Sequence, residues 1–392
     1  MKSVINRAIK MARQESVASK AEVARAQSKL ETKQGPKEQK IKKKSTYDDD
    51  ELRALLEASR AKIRVVGCGG GGCNTINRMT EVGILGAETV AVNTDAQDLL
   101  KVKADRKILI GKKLTRGLGA GSDPSVGEAS AQESMEELQD IFADADLVFI
   151  TCGMGGGTGT GSAPVVAELV KKAKALTIGV VTIPFTVEGR KRMENAMHGI
   201  ANIRKHADTL IVIPNDKILE IAPDLPVNAA FKVADEVLTN AVKGITEMIT
   251  KPGLINLDFA DLRTILSKGG AAMIGLGESS SHSTNSDSRA LEAVENALTS
   301  PLLDVDISNA NRALINVVGG SDMTLREAEL IVEAVSSKIS NNAHIIWGAM
   351  IDDSLPKNQI QAMVVIAGGR FPYLDGEVND EGEVDLGIKF TG

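Results

Sequence analysis

Two hydrophobic periods alternate along this chain from Lys62 onward. Continuous runs rich in Val and Ile occupy Lys62–Gly70, Thr89–Gln97, Ala145–Gly157, Leu176–Pro184 and Thr209–Asn215. Such runs fit strands covered on both faces. Between them, Asn74–Val82, Ser125–Phe142, Ala163–Ala173 and Gly189–His206 read as helices. This alternation predicts an α/β fold, a doubly wound, mostly parallel sheet whose ligands bind outside the carboxyl ends of the strands. Each of those ends carries Gly, Asn, Asp or Thr.

A longer helix is expected over Val227–Thr250. Phe231, Ala234, Val237, Leu238, Ala241, Val242, Ile245 and Ile249 keep one face apolar, Pro226 starts the helix, and Pro252–Gly253 stop it. Beyond it, Ala271–Glu278, Ala313–Gly320, Ala343–Asp352 and Ile360–Gly368 read as strands, with helices at Arg289–Leu298 and Leu325–Lys338. That pattern predicts a second, α+β domain. Ahead of the sheet, Tyr47–Arg60 reads as a helix with Asp48, Asp49 and Asp50 in its first turn, where the dipole favours them. The expected organisation is a basic arm at 1–46, the doubly wound α/β domain with its leading helix at 47–226, a central helix at 227–252, an α+β domain at 253–369 and an acidic tail at 370–392.

Composition narrows the class. Hydrophobic residues make up 43% of the 392 and charged residues 25%, which is enough apolar material for a sizeable core. No apolar run reaches the roughly 18–20 residues of a membrane span, and no signal-peptide core opens the chain. Three cysteines are too few, and odd in number, for a disulfide scaffold, so a reducing cytoplasm is expected. With 3% aromatics there is little stacking surface for single-stranded nucleic acid, and no nucleic-acid partner is expected. No zinc-ligand spacing appears and the four His form no cluster, so no protein metal site is expected either. The net charge of −6 hides a division: residues 1–46 carry +9 and the remainder −15. The arm reads first as a solvated tail. Its first eleven residues also place Val4, Ile5, Ala8 and Ile9 at helical spacing among basic residues, a pattern that suits an anionic membrane or a partner.

Three glycine-rich loops carry the candidate chemistry. GCGGGGCN (Gly67–Asn74) follows a strand and precedes a helix, where free amides attract anions. Its Gly67-x-Gly69-x-x-Gly72 spacing, with Asp95 ending the next strand, also fits a dinucleotide-binding dehydrogenase. The second loop, GMGGGTGTGS (Gly153–Ser162), weighs against that reading. A second phosphate cradle of this size suits a nucleoside triphosphate, and Thr158 and Thr160 add hydroxyl donors. The third, TRGLGAGSDP (Thr115–Pro124), is expected to close over a γ-phosphate with the amides of Ala120 and Gly121. No GxxxxGK[ST] occurs, so a P-loop is excluded.

GGGTGTG at Gly155–Gly161 resembles the signature of the tubulin and FtsZ GTPases. GCGGGGCN, NTDAQ (Asn93–Gln97), GLGAG (Gly117–Gly121), PFTVEGRKR (Pro184–Arg192), IPND (Ile213–Asp216) and NLDFADLR (Asn256–Arg263) extend the match. The resemblance covers about Ala61–Gly369 and is to FtsZ, its archaeal branch in particular. It implies a tubulin/FtsZ-like fold and a GTP-hydrolysing protein that polymerises head-to-tail into dynamic filaments of a cytoplasmic, mid-cell division ring. GTP, GDP and Mg²⁺ are the implied ligands. Further copies of the chain and a membrane tether are the implied partners, with membrane contact indirect or through the N-terminal arm.

The same resemblance assigns roles. Gly69, Gly70, Gly71, Gly72 and Cys73 line the α- and β-phosphates, and Asn74 begins the helix. Gly157, Thr158 and Gly159 hold the phosphates from the other side. Glu188 accepts from the ribose hydroxyls, and Arg192 lies close to the nucleotide. Asn215, Phe231 and Asp235 frame guanine. A carboxylate at Asp235 accepts from both N1–H and the 2-amino group, which adenine lacks, and an unpaired buried carboxylate costs about 1–3 kcal/mol or more. Asn256, Asp258 and Asp261 lie past the long helix. Its roughly 36 Å length, at 1.5 Å per residue, puts them far from their own γ-phosphate. Asp258 and Asp261 are therefore expected to act on nucleotide held by the next copy, through a head-to-tail contact that builds an open filament. A scaffold without turnover, and a filament serving cell shape, remain alternatives at this stage.

Overall fold

The computed structural model describes residues 60–221, 227–251, 253–279, 286–303 and 305–369, all within one compact unit that begins at Arg60. The arm, the expected helix up to Ser59, Pro226, Pro252 and the acidic tail lie outside the described residues. In chain order come β1 (Ile63–Cys68), α1 (Gly69–Val82), β2 (Ala87–Asn93), α2 (Ala96–Lys101), β3 (Arg106–Leu109), α3 (Pro124–Glu133), α4 (Met135–Phe142), β4 (Leu147–Gly153), α5 (Thr158–Lys172) and β5 (Leu176–Ile183). They are followed by α6 (Arg190–Arg204), β6 (Thr209–Pro214), α7 (Asn215–Ile221), α8 (Val227–Thr250), α9 (Phe259–Leu266), β7 (Gly270–Glu278), α10 (Ser286–Leu298), β8 (Arg312–Gly319), α11 (Leu325–Ser336), β9 (His344–Ile351) and β10 (Ile360–Ala367).

The strands form one ten-stranded sheet in the order β3-β2-β1-β4-β5-β6-β7-β10-β8-β9. Pairing is parallel from β3 to β7, antiparallel on both sides of β10, and parallel again between β8 and β9. Three in-register pairs, Thr209↔Gly270, Leu210↔Ala271 and Ile211↔Ala272, join the amino-terminal strands to the carboxyl-terminal ones.

Alternation along each strand feeds two faces. Ile63 and Val65 of β1 enter a core with Ile76 and Met79 of α1 and Leu238, Ala241 and Ile245 of α8. Val66 and Cys68 enter a second core with Val166 and Val170 of α5 and Ile200 and Ile203 of α6. A third core sets Ala313, Ile315 and Val364 against Val294 of α10 and Ile331 and Val335 of α11. Helices on both faces explain why these strands read as unbroken apolar runs.

The elements differ from the sequence reading where local chemistry overrides the pattern. The expected single helix Ser125–Phe142 breaks at Ser134, whose hydroxyl accepts the Gly111 N–H at 3.3 Å. The helix expected from Asn74 begins at Gly69, and the one expected from Ala163 begins at Thr158. Their glycines, read as loop, are helical. The short elements α2, α7, α9 and β3 carry no period long enough to be seen.

One buried ion pair ties the carboxyl-terminal helices together. Arg289 on α10 is nearly buried and holds Glu327 on α11 bidentately, with Nη2–Oε2 at 3.1 Å, while Glu327 also accepts from the Thr324 N–H and hydroxyl as a capping box. Arg289→Ala leaves Glu327 buried and uncompensated. The expected cost is about 3–5 kcal/mol, read by denaturant unfolding.

Candidate functional site

The chain leaves β1 toward β2 and β3 on one side and leaves β4 toward β5 and β6 on the other. That divergence opens a crevice at the carboxyl ends of β1 and β4, the usual ligand position in a doubly wound sheet. A cavity of about 370 Å³ occupies it, lined by the first two glycine loops and by residues of α6 and α8.

The end lined by the two glycine loops is built from backbone brought very close. Gly69 has φ +69°, and a Cβ there would stand 2.6 Å from the Gly159 nitrogen. The N-termini of α1 and α5 can therefore approach one another only with glycine at this place. The residues that open both helices line the cavity, and free amides at a helix N-terminus attract anions. Gly69→Ala meets both left-handed strain and a backbone clash. It is expected to weaken binding of a nucleoside triphosphate by at least about tenfold, measured by titration with a fluorescent nucleotide analogue.

Of the first loop, Gly69, Gly70, Gly71 and Asn74 line the cavity. Gly72 and Cys73 do not. A Cβ on Gly72 would stand 2.5 Å from the Thr151 carbonyl, and Cys73 is fully buried with its Sγ 3.9 Å from the Val92 carbonyl. The helical twist of α1 turns both residues toward the core. Burial raises all three cysteine thiols, Cys68 to about 12, so none is a nucleophile near neutral pH.

In the second loop Gly157, Thr158 and Gly159 line the cavity, as do Gly153, Met154 and Gly156. Thr160, expected to face phosphate, instead turns inward and accepts the Gly155 N–H at 2.9 Å. The third loop reaches the cavity through Ser122. Ala120 packs behind it, with its Cβ 2.9 Å from where a Gly157 side chain would begin, and Gly121 is exposed beside it at φ +58°. NTDAQ clamps this loop: the Ala96 N–H donates to the Gly117 carbonyl at 3.1 Å and the Gly119 N–H to the Thr94 carbonyl at 3.3 Å. Asp95, the ribose acid of the dehydrogenase alternative, caps α2 by accepting the Gln97 and Asp98 N–H groups at 2.9 and 3.0 Å.

The opposite end gathers acceptors. Asn215, almost buried at the start of α7, lines the cavity, and its Oδ1 has no partner among the described residues. Asp235 on α8 lies nearby in the same lining. Burial pushes its carboxyl up to about 6, partly offset by the Thr75 hydroxyl at 3.4 Å. Phe231 lines the same end and meets Phe185 edge-to-face at 5.0 Å. Glu188 accepts the Phe185 N–H at 2.9 Å and pairs with Arg192, so the two charges enter the lining together. Ala234 and Leu238 complete this wall. Sequence reasoning placed them on the apolar face of the long helix and not in the site, yet with Phe231 and Asp235 they fall at helical spacing on α8.

Asn256, Asp258 and Asp261 do not reach the cavity. They follow the far end of α8, whose 24 residues rise about 36 Å. Asn256 Oδ1 accepts the Gly253 N–H at 2.6 Å, and Asp258 caps α9 by accepting the Asp261 N–H at 2.8 Å. Both aspartates are exposed.

Comparison with known proteins accounts for this geometry. Residues 62–223 match the Tubulin/FtsZ family, GTPase domain, and residues 270–370 match the FtsZ family, C-terminal domain. Cell division protein FtsZ 1 of Thermococcus kodakarensis is 59% identical over 333 residues, 85% of this chain and 87% of the relative. Cell division protein FtsZ 1 of Methanocaldococcus jannaschii is 59% identical over 321 residues, 82% of this chain and 86% of the relative. Among solved structures, the empty FtsZ dimer of M. jannaschii aligns with a TM-score of 0.77 at 59% identity, covering 82% of this chain and 92% of that one. The GTPγS-bound protofilament of CetZ2 from Haloferax volcanii shares the fold at a TM-score of 0.69 and 21% identity, covering 79% of this chain and 93% of that one. The chain therefore belongs to the FtsZ family of tubulin-like GTPases.

Proposed function

We propose that the cavity binds GTP and that hydrolysis occurs where a second copy of the chain caps it, so that copies assemble head-to-tail into filaments of a division ring. The observation that carries this reading is the separation of two half-sites. One end of α8 frames a cavity with two helix N-termini and the acceptors Asn215 Oδ1 and Asp235, and the chain past its other end presents two exposed aspartates, Asp258 and Asp261, that do not reach that cavity.

The proposed roles follow from placement. Amides of the α1 and α5 N-termini and the Thr158 hydroxyl hold the phosphates. Glu188 and Arg192 flank the ribose. Asn215 Oδ1 and the Asp235 carboxylate accept from guanine, with Phe231 against the ring. Asp258 and Asp261 of the next copy orient the attacking water, and the fixed amides stabilise charge as it shifts toward the leaving phosphate, which is most of what phosphoryl transfer needs. Among the described residues no group of three or more His, Cys, Asp or Glu is poised to hold a metal. The donors at the phosphate end are amides and hydroxyls, which suit phosphate oxygens and leave Mg²⁺ to phosphate and water. When bound, the ion would neutralise phosphate charge. A membrane tether and a mid-cell position belong to the same proposal and follow the division role in the relatives' names.

Light scattering and phosphate release across a protein concentration series, with GTP and Mg²⁺, test the reading. A threshold in scattering, with turnover per chain rising above it, is expected. Turnover strictly proportional to protein, with no threshold, would contradict it.

A further inference from the structure

NTDAQ supplies none of the base or ribose contacts proposed above, yet its second residue is built into the phosphate end. Thr94 is fully buried. Its N–H donates to Asn93 Oδ1 at 2.9 Å, and its carbonyl accepts the Gly119 N–H at 3.3 Å and the Thr115 hydroxyl at 3.4 Å. Its own hydroxyl lies 2.6 Å from the Thr158 hydroxyl, with no other partner recorded among the described residues. Thr158 lines the cavity.

Two hydroxyls at this distance share one proton, and the other proton must find its own acceptor. If Thr158 donated, the Thr94 proton would be left enclosed without a partner, the costly arrangement. With Thr94 as the donor, the buried proton is used, and the Thr158 proton is left to point into the cavity. Donation also polarises the Thr158 O–H and strengthens it as a donor in turn.

We infer that Thr94 is a positioning residue: it donates to Thr158 Oγ1 and so aims the Thr158 O–H at a phosphate oxygen of the bound nucleotide. The role rests on the GTP reading above. It also joins two loops through one residue, because the hydroxyl holds the second glycine loop while the carbonyl holds the third. Thr94→Val removes the first link and leaves the second in place.

The test is competition binding against a fluorescent GTP analogue, on the full chain below its assembly threshold, with GTP and with guanosine. Thr94→Val is expected to weaken GTP roughly three- to tenfold, the usual worth of one hydrogen bond, and to leave guanosine, which has no phosphate, unchanged. Thr94→Ser restores GTP affinity. In a Thr158→Val background, Thr94→Val adds no further loss. Native GTP affinity in Thr94→Val, an equal loss for guanosine, or the same loss on top of Thr158→Val would overturn the role. If thermal unfolding shows that Thr94→Val does not fold, Thr94→Ala, which also lacks the donor, is read by the same outcomes. A native chain that binds neither GTP nor guanosine overturns the GTP reading itself, a result distinct from all of these.

Discussion

Asp261→Ala is expected to cut GTP turnover by about two to three orders of magnitude while leaving GTP affinity below the assembly threshold within about twofold, on the scale of losing one preorganised catalytic group. Asp261 is exposed in the first turn of α9 and makes no contact with the cavity of its own chain. Binding and turnover should therefore separate cleanly. Asp258 needs a different substitution because its carboxylate also caps α9 at the Asp261 N–H. Asp258→Ala removes cap and charge together, and the cap alone is worth about 1 kcal/mol. Asp258→Asn keeps the cap and removes only the charge. If the charge orients water, both Asp258 variants lose turnover. If Asp258 only holds α9 in place, Asp258→Asn stays active. Phosphate release per chain above the threshold, beside nucleotide binding below it, distinguishes these cases.

The second large effect is at the base. Asp235→Asn replaces two acceptors with one acceptor and one donor, and the new donor faces the guanine 2-amino group. GTP affinity is expected to fall about a hundredfold or more, since a site built to pair polar groups rejects a ligand that leaves them unpaired. Xanthosine triphosphate carries a carbonyl in place of that amino group and should gain affinity for the variant. Titration with the two nucleotides reads both changes. The carboxyl of Asp235 also sets a pH dependence. Burial raises it to about 6, so in the nucleotide-free chain it takes up a proton as pH falls through that value. A neutral acid cannot accept both guanine donors, so GTP affinity should drop up to about tenfold per pH unit below 6. Stability of the nucleotide-free chain moves the opposite way through this group. Its folded pKa exceeds the unfolded value, so the cost of the buried charge present above pH 6 is relieved on acidification toward 4. Asp235→Asn should remove both trends.

The sheet was legible because strands such as β4 and β5 are buried on both faces and show it as unbroken Val, Ile and Phe runs. The glycine loops announced the close approach of α1 and α5 for a related reason, since it excludes every side chain at Gly69. Other features depend on three-dimensional contact. Gly72 and Cys73 sit in a motif that reads as ligand-facing, yet one helical turn carries them to the core. Thr160 looks equivalent to Thr158 in sequence, but two residues along α5 put it on the opposite side of the helix, where it accepts the Gly155 N–H. The Thr94–Thr158 contact joins residues far apart in the chain, the Oδ1 of Asn215 is buried without a partner among the described residues, and no periodicity encodes either. Pairing of β6 with β7 is likewise a long-range event, bridging from Thr209 to Gly270 across α8.

The central claim is that one chain's aspartates complete the site on another chain, and mixing two defective variants tests it most directly. Asp261→Ala chains bind GTP and lack the acid, whereas Asp235→Asn chains keep the acid and bind GTP poorly. Each alone is expected to release little phosphate. At equal concentrations above the threshold, junctions form in which the GTP of the first variant meets the intact Asp261 of the second. Phosphate release should recover to about a quarter of the native rate if the copies alternate at random, a head-to-tail consequence that a closed site cannot imitate. A mixture no more active than the sum of its parts, although both chains co-sediment in the polymer, would contradict the account.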